Sequence, residues 1–179
     1  MATWLSAPLA RVRAIVEGAY PVSPVAGRSV TAGRFRRATY RGDVADPGWP
    51  GTGFHRHYLL TTESAGDVPG AAANWRTGRV LKRVVVELRV GYLVSPDAAV
   101  DRAGVCADED AATQLGLEDA HELEEALRWP DFWAGTDPVL AQVRPAGDVT
   151  AAVVIPRARV LVSSRWELTL DFAPGRSWA

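Results

Sequence analysis

Residues 79–94 read RVLKRVVVELRVGYLV, and their alternation decides the fold. The even positions Val80, Val84, Val86, Leu88, Val90, Tyr92 and Val94 are apolar, while Arg83, Glu87 and Arg89 take odd ones. Successive side chains of a strand point to opposite faces, so a period of two marks a strand with one face buried and the other charged. Residues 157–172, RARVLVSSRWELTLDF, repeat the pattern more cleanly. Ala158, Val160, Val162, Trp166, Leu168, Leu170 and Phe172 share one face, and Arg157, Arg159, Arg165, Glu167 and Asp171 share the other. Ordinary strands run about five or six residues. Two strands near 50 Å long, at roughly 3.3 Å per residue, overhang a small domain and predict a sheet continued by a neighbouring subunit.

The rest of the chain supplies helices to cover the apolar face. Over 6–17, Leu9, Val12, Ile15 and Val16 recur at helical spacing, with Leu5 extending the stripe, Ser6 placed as N-cap and Gly18 as terminator. A second helix is predicted over 109–128, with the narrow stripe Ala112, Gly116, Ala120, Leu123 and Leu127, and with Asp108, Glu109 and Asp110 at its positive end. Pro130 stops it. Shorter strands are expected at 34–40, 55–62, 139–143 and 150–155, the last two joined as a hairpin through the turn 145–148. The segment 42–78 is dense in Gly and Pro and is predicted to project as an extended loop or hairpin, carrying Trp49 and Trp75 as candidate interface residues. The expectation is one α+β domain over 1–179, a mainly antiparallel sheet with long strands packed against two helices.

Composition narrows function by exclusion. With 179 residues, 47% hydrophobic and 23% charged, the chain suits a single globular domain, and no apolar run reaches the length of a membrane span. The opening MATWL lacks the basic and apolar regions of a secretory signal, so a cytoplasmic origin is expected. Cys106, the single cysteine, excludes an intrachain disulfide and reads as a small filler residue. The net charge of −1 hides a division: residues 1–94 hold thirteen Lys plus Arg against six Asp plus Glu, net +7, and residues 95–179 hold seven against fifteen, net −8. Such segregation can steer docking between copies or toward nucleic acid, or it can be solvated surface.

Catalytic signatures are missing from the sequence. It contains no phosphate-cradling Gly-x-x-x-x-Gly-Lys, no dinucleotide Gly-x-Gly-x-x-Gly and no nucleophile elbow. His55 and His57 have metal-like spacing, one face of a strand, with His121 too remote along the chain to complete a set readily. A metal-dependent hydrolase using His55 and His57 is therefore the minor alternative, and no cofactor is expected. The acidic run Glu118, Asp119, Glu122, Glu124 and Glu125 is predicted to spread over the outer face of its helix. The charged faces of the two long strands, Arg83, Glu87 and Arg89 with Arg157, Arg159, Arg165 and Glu167, are the candidate assembly or lumen contacts.

The order helix, strand, hairpin, long strand, acidic helix, hairpin and long final strand resembles the tail terminator proteins of long-tailed bacteriophages. Residues 79–94 look like that family's central strand, 111–128 like its helix and 153–172 like its closing strand. The resemblance covers most of the chain through patterns, not an invariant motif. It implies a homohexameric ring in the virion, assembled in the host cytoplasm, that caps the tail tube, ends its polymerisation and joins tail to head connector. The tail tube protein and neck proteins are the implied partners, with DNA passing through the lumen and no enzymatic activity. The 42–78 segment is longer and richer in Gly and Pro than that pattern, which keeps a neck or head-completion protein as the alternative; a tail-like injection machine or gene-transfer particle could use the same protein.

Overall fold

A computed structural model describes residues 5–18, 35–37, 55–68, 80–94, 106–128, 139–154 and 159–172. Two helices, α1 (Ser6–Val16) and α2 (Glu109–Arg128), accompany six strands: β1 (Arg36–Arg37), β2 (His57–Asp67), β3 (Val80–Leu93), β4 (Val139–Pro145), β5 (Thr150–Val154) and β6 (Arg159–Phe172). The strands form one sheet in the order β1-β2-β3-β6-β4, with β5 also on β6. Every pairing is antiparallel except the two-residue contact of β1 with β2. The α+β class and the long-stranded, mainly antiparallel sheet agree with the sequence pattern.

The two alternating runs become neighbours. β3 and β6 pair without interruption from Val80 opposite Phe172 to Leu93 opposite Arg159. Because cross-strand partners share a face, the alternation of one strand is continued by the other. Val84, Val86, Leu88, Val90 and Tyr92 meet Val160, Val162, Trp166, Leu168 and Leu170 in a single core, each at most 4% exposed. Val12, Ile15 and Val16 of α1 and Ala112, Leu123, Ala126 and Leu127 of α2 close that core from above.

Gly116 sets how close α2 lies to the sheet. A Cβ there would sit 2.3 Å from Cγ2 of Val162 and 3.0 Å from Cε2 of Tyr92, so only hydrogen fits the crossing. Asp108 caps the helix, its Oδ1 accepting the N–H of Ala111 at 2.7 Å. At the other helix, Leu5 occupies the N-cap position without a side-chain bond, in place of the expected Ser6. The first turn is held instead by Leu9 N–H donating to the Leu5 carbonyl at 3.0 Å. Gly18, at φ 84°, ends α1 as its left-handed C-terminal residue.

Two expectations change. Residues 139–154 do not fold back as a hairpin: β4 and β5 lie end to end along β6, Pro145 opposite Trp166 and Thr150 opposite Ser163. The outer chain takes five steps while β6 takes three, so 146–149 arch away, with Gly147 at φ 149° and Ala146 N–H bonded to the Arg165 carbonyl at 2.9 Å. The physical reason is the outer edge of β6, which offers an unbroken row of backbone groups to both segments, so the turn residues make a bulge in one strand. Second, the strand in the middle of 42–78 belongs to the sheet. β2 pairs with β3 from His57 opposite Gly91 to Asp67 opposite Lys82, with one bulge between Thr62 and Ser64. Its second half, Thr62–Asp67, is exposed, and the flanking parts of 42–78 lie outside the described residues.

Candidate assembly surface

Both described helices cover one face of the sheet; the opposite face carries a ladder of charge. Glu167 on β6 takes Arg144 of β4 on one oxygen at 2.6 Å and Arg83 of β3 on the other at 3.6 Å. Arg165, one pleat along, reaches across β3 to Glu63, its Nε donating at 2.9 Å. Glu63 gains that reach because it is the bulged residue of β2. Arg89 and Glu87, two apart on β3 and so on one face, pair at 2.9 Å. The face therefore brings together Arg83, Glu87, Arg89, Arg165 and Glu167 as the alternation predicts, and adds Glu63 and Arg144.

Four arginines against three glutamates make this ladder nearly neutral. Its members differ in depth. Glu87 and Glu167 are 9% exposed, whereas the side chains of Arg165 and Arg144 stand 45% and 57% exposed. Arg159, expected to point outward, is only 6% exposed at the start of β6, where it stands between Leu93 of β3 and Val154 of β5. Arg157, Trp49 and Trp75 lie outside the described residues.

A second charged cluster sits inside the molecule. Asp119 of α2, 2% exposed, accepts a two-pronged contact from Arg56, Nε at 2.7 Å and Nη2 at 3.2 Å, and also the Tyr92 hydroxyl at 2.9 Å. Such a fork places two donors on one carboxylate and offsets the cost of burying it. Arg56 also lies 5.9 Å from the centre of the Phe35 ring. The chain reaches this position by taking a left-handed turn at Arg56, φ 57°, with its N–H bonded to the Gly91 carbonyl at 2.9 Å. That turn breaks the strand period between the two histidines: His55 precedes β2 and His57 begins it, so they do not share a strand face.

His55 is committed to the fold. Its Nδ1 accepts the Leu93 N–H at 3.3 Å and its ring meets Tyr92 edge to face at 5.6 Å. Burial, helped by the Arg56 charge, pushes its pKa down to about 4, so the ring is neutral near pH 7. Cys106 lies alongside, its N–H on the Leu93 carbonyl at 3.0 Å and its thiol pKa raised, chiefly by burial. Tyr58, opposite Val90 on β3, donates its hydroxyl to Glu17 at 2.5 Å, and burial with that bond holds the phenol well above its usual range. Among the described residues no group of three or more His, Cys, Asp or Glu could hold a metal ion, and no helix is long and apolar enough to cross a membrane.

The buried pair corrects the reading of the acidic helix, since Asp119 and Glu122 are both 2% exposed and turn inward. The signal was present. Asp119 falls three residues after Gly116 and four before Leu123, inside the stripe, and Tyr92 on an apolar face requires a partner for its hydroxyl. No protein-family model matches this chain, and no curated protein matches it.

Proposed function

We propose that this protein is a structural subunit of a phage-type tail, a ring that caps the tail tube, ends its polymerisation and joins it to the head connector. The observation that carries this reading is the pairing of β3 with β6 along their whole length, with helices on one face and a charge ladder on the other. The order of elements supports it, as do the two edges of the sheet that are unpaired among the described residues, β2 beyond Tyr58 and the broken strand β4–β5, to which a neighbour's strand would add.

The ladder suits a lumen that DNA passes through without adhering. Affinity for a polyanion grows with the number of phosphates that cations neutralise. Arginines already paired with Glu63, Glu87 and Glu167 give a surface that neither repels nor grips the backbone. Native mass spectrometry of the purified protein, alone and with tail-tube subunits, tests the reading: a ring of six that binds tube ends is expected, and a persistent monomer that ignores tubes overturns it.

A further inference from the structure

Four side chains from three elements meet at the β1 edge of the helix-covered face. Arg37 stands opposite Tyr58 in parallel register, so the two share one side of the sheet. The Tyr58 hydroxyl donates to Glu17 at 2.5 Å, and Arg13 lies one turn before Glu17 on α1. The charges of Arg13 and Arg37 both act on the Tyr58 phenol. Glu17 is taken by that phenol, and neither guanidinium has an ion-pair partner among the described residues. Arg13 Nε is buried without a hydrogen-bond acceptor, and a buried donor left unpaired carries a cost that an incoming acceptor removes. Arg37 is exposed. The corner sets two cations against one anion.

The start of α2 has the complementary charge. Glu109 and Asp110 are exposed and in no ion pair among the described residues, whereas Asp108 caps the helix and Glu124 and Glu125 hold Arg128. α2 packs on β6 and reaches β3, β4 and β5. Arg37 is on β1 at the other edge, with β2 and β3 between it and β6. The acidic end and the basic corner therefore lie on opposite sides of the domain. We infer that the Arg13–Arg37 corner of one copy receives Glu109 and Asp110 of the next copy, head to tail. This contact rests on the ring reading of the function. Each subunit of a ring presents two unlike surfaces that fit its neighbours. These two lie on the sides that also carry the sheet edges β2 and β4–β5. Two carboxylates match two guanidiniums in charge-assisted hydrogen bonds, and Arg13 Nε gains an acceptor. The opposed charges of the two halves of the chain, +7 and −8, then attract across each joint and fix its orientation.

Charge reversal on each side, followed by mixing, tests the contact. Native mass spectrometry with tail-tube subunits present is expected to show rings for wild type. Rings should be lost in Arg37→Glu, and lost separately in the double variant Glu109→Arg with Asp110→Arg. Mixed in equal amounts, the two variants should alternate and restore a ring with three copies of each, which misfolded chains could not do. Glu125→Arg, the same change of charge elsewhere on α2, should form rings as wild type does. Rings that survive both separate reversals, equal loss with Glu125→Arg, or no rescue on mixing would each overturn the contact and leave the ring reading standing. Rings that survive Arg37→Glu while salt-dependent binding of duplex DNA is lost would assign the corner to phosphate and overturn the contact as well. A wild type that stays monomeric beside tubes removes the ring and the contact together.

Discussion

Two ion-pair regions of the same sheet have similar distances and opposite roles. Arg56 and Asp119 meet at 2.7 Å with side chains 14% and 2% exposed, under a helix and beside Tyr92. Arg144 and Glu167 meet at 2.6 Å on the far face, with Arg144 57% exposed to solvent. Distance alone does not separate them. In the first, water has been removed from both charges, so each depends on its partner; in the second, solvent screens the charges and competes for them. The buried pair thus fixes the position of α2 on β2 and β3, while the ladder shapes a surface.

That difference is open to attack at several points. Asp119→Ala should produce the largest change, a loss of about 3–5 kcal/mol in denaturant unfolding, because Arg56 and the Tyr92 hydroxyl are left buried without their acceptor. Gly116→Ala should cost about 1–3 kcal/mol by lifting α2 off Val162, and a loss near zero would mean that the helix slides freely. Next comes acid. His55 binds a proton near its ordinary pKa when unfolded but only near 4 when folded, so the stability it contributes is full above about pH 6.5 and is lost as pH falls toward 4. The thermal midpoint of wild type should fall more steeply over that window than that of His55→Gln. On the ladder, Glu63→Ala should change stability by less than about 1 kcal/mol. The same substitution releases Arg165 and should raise affinity for duplex DNA in a salt-dependent manner, read by titration at two ionic strengths.

Much of this architecture was legible early because local periodicity carried it. Fourteen-residue strands with clean alternation leave one solution for their apolar face, and the spacing of Ala112, Gly116, Leu123 and Leu127 required a helix lying close to it. The two departures from local pattern share a cause. The hairpin expected between β4 and β5 came from turn residues, which specify a bend but not which edge the chain then meets. The charge of Asp119 points to solvent although its position lies in the stripe, because a carboxylate is buried only where partners exist, and Arg56 and Tyr92 come from 63 and 27 residues away in the chain.

The sequence by itself determined the two alternating strands, the covering helices and the charge of the second sheet face, since each follows from the period of side chains along one element. Only the tertiary structure decided which charges neutralise one another, which carboxylates turn inward, and that β4 and β5 lie end to end along β6. Those outcomes depend on register between strands distant in the chain, and a shift of one residue would exchange the faces and undo every pair.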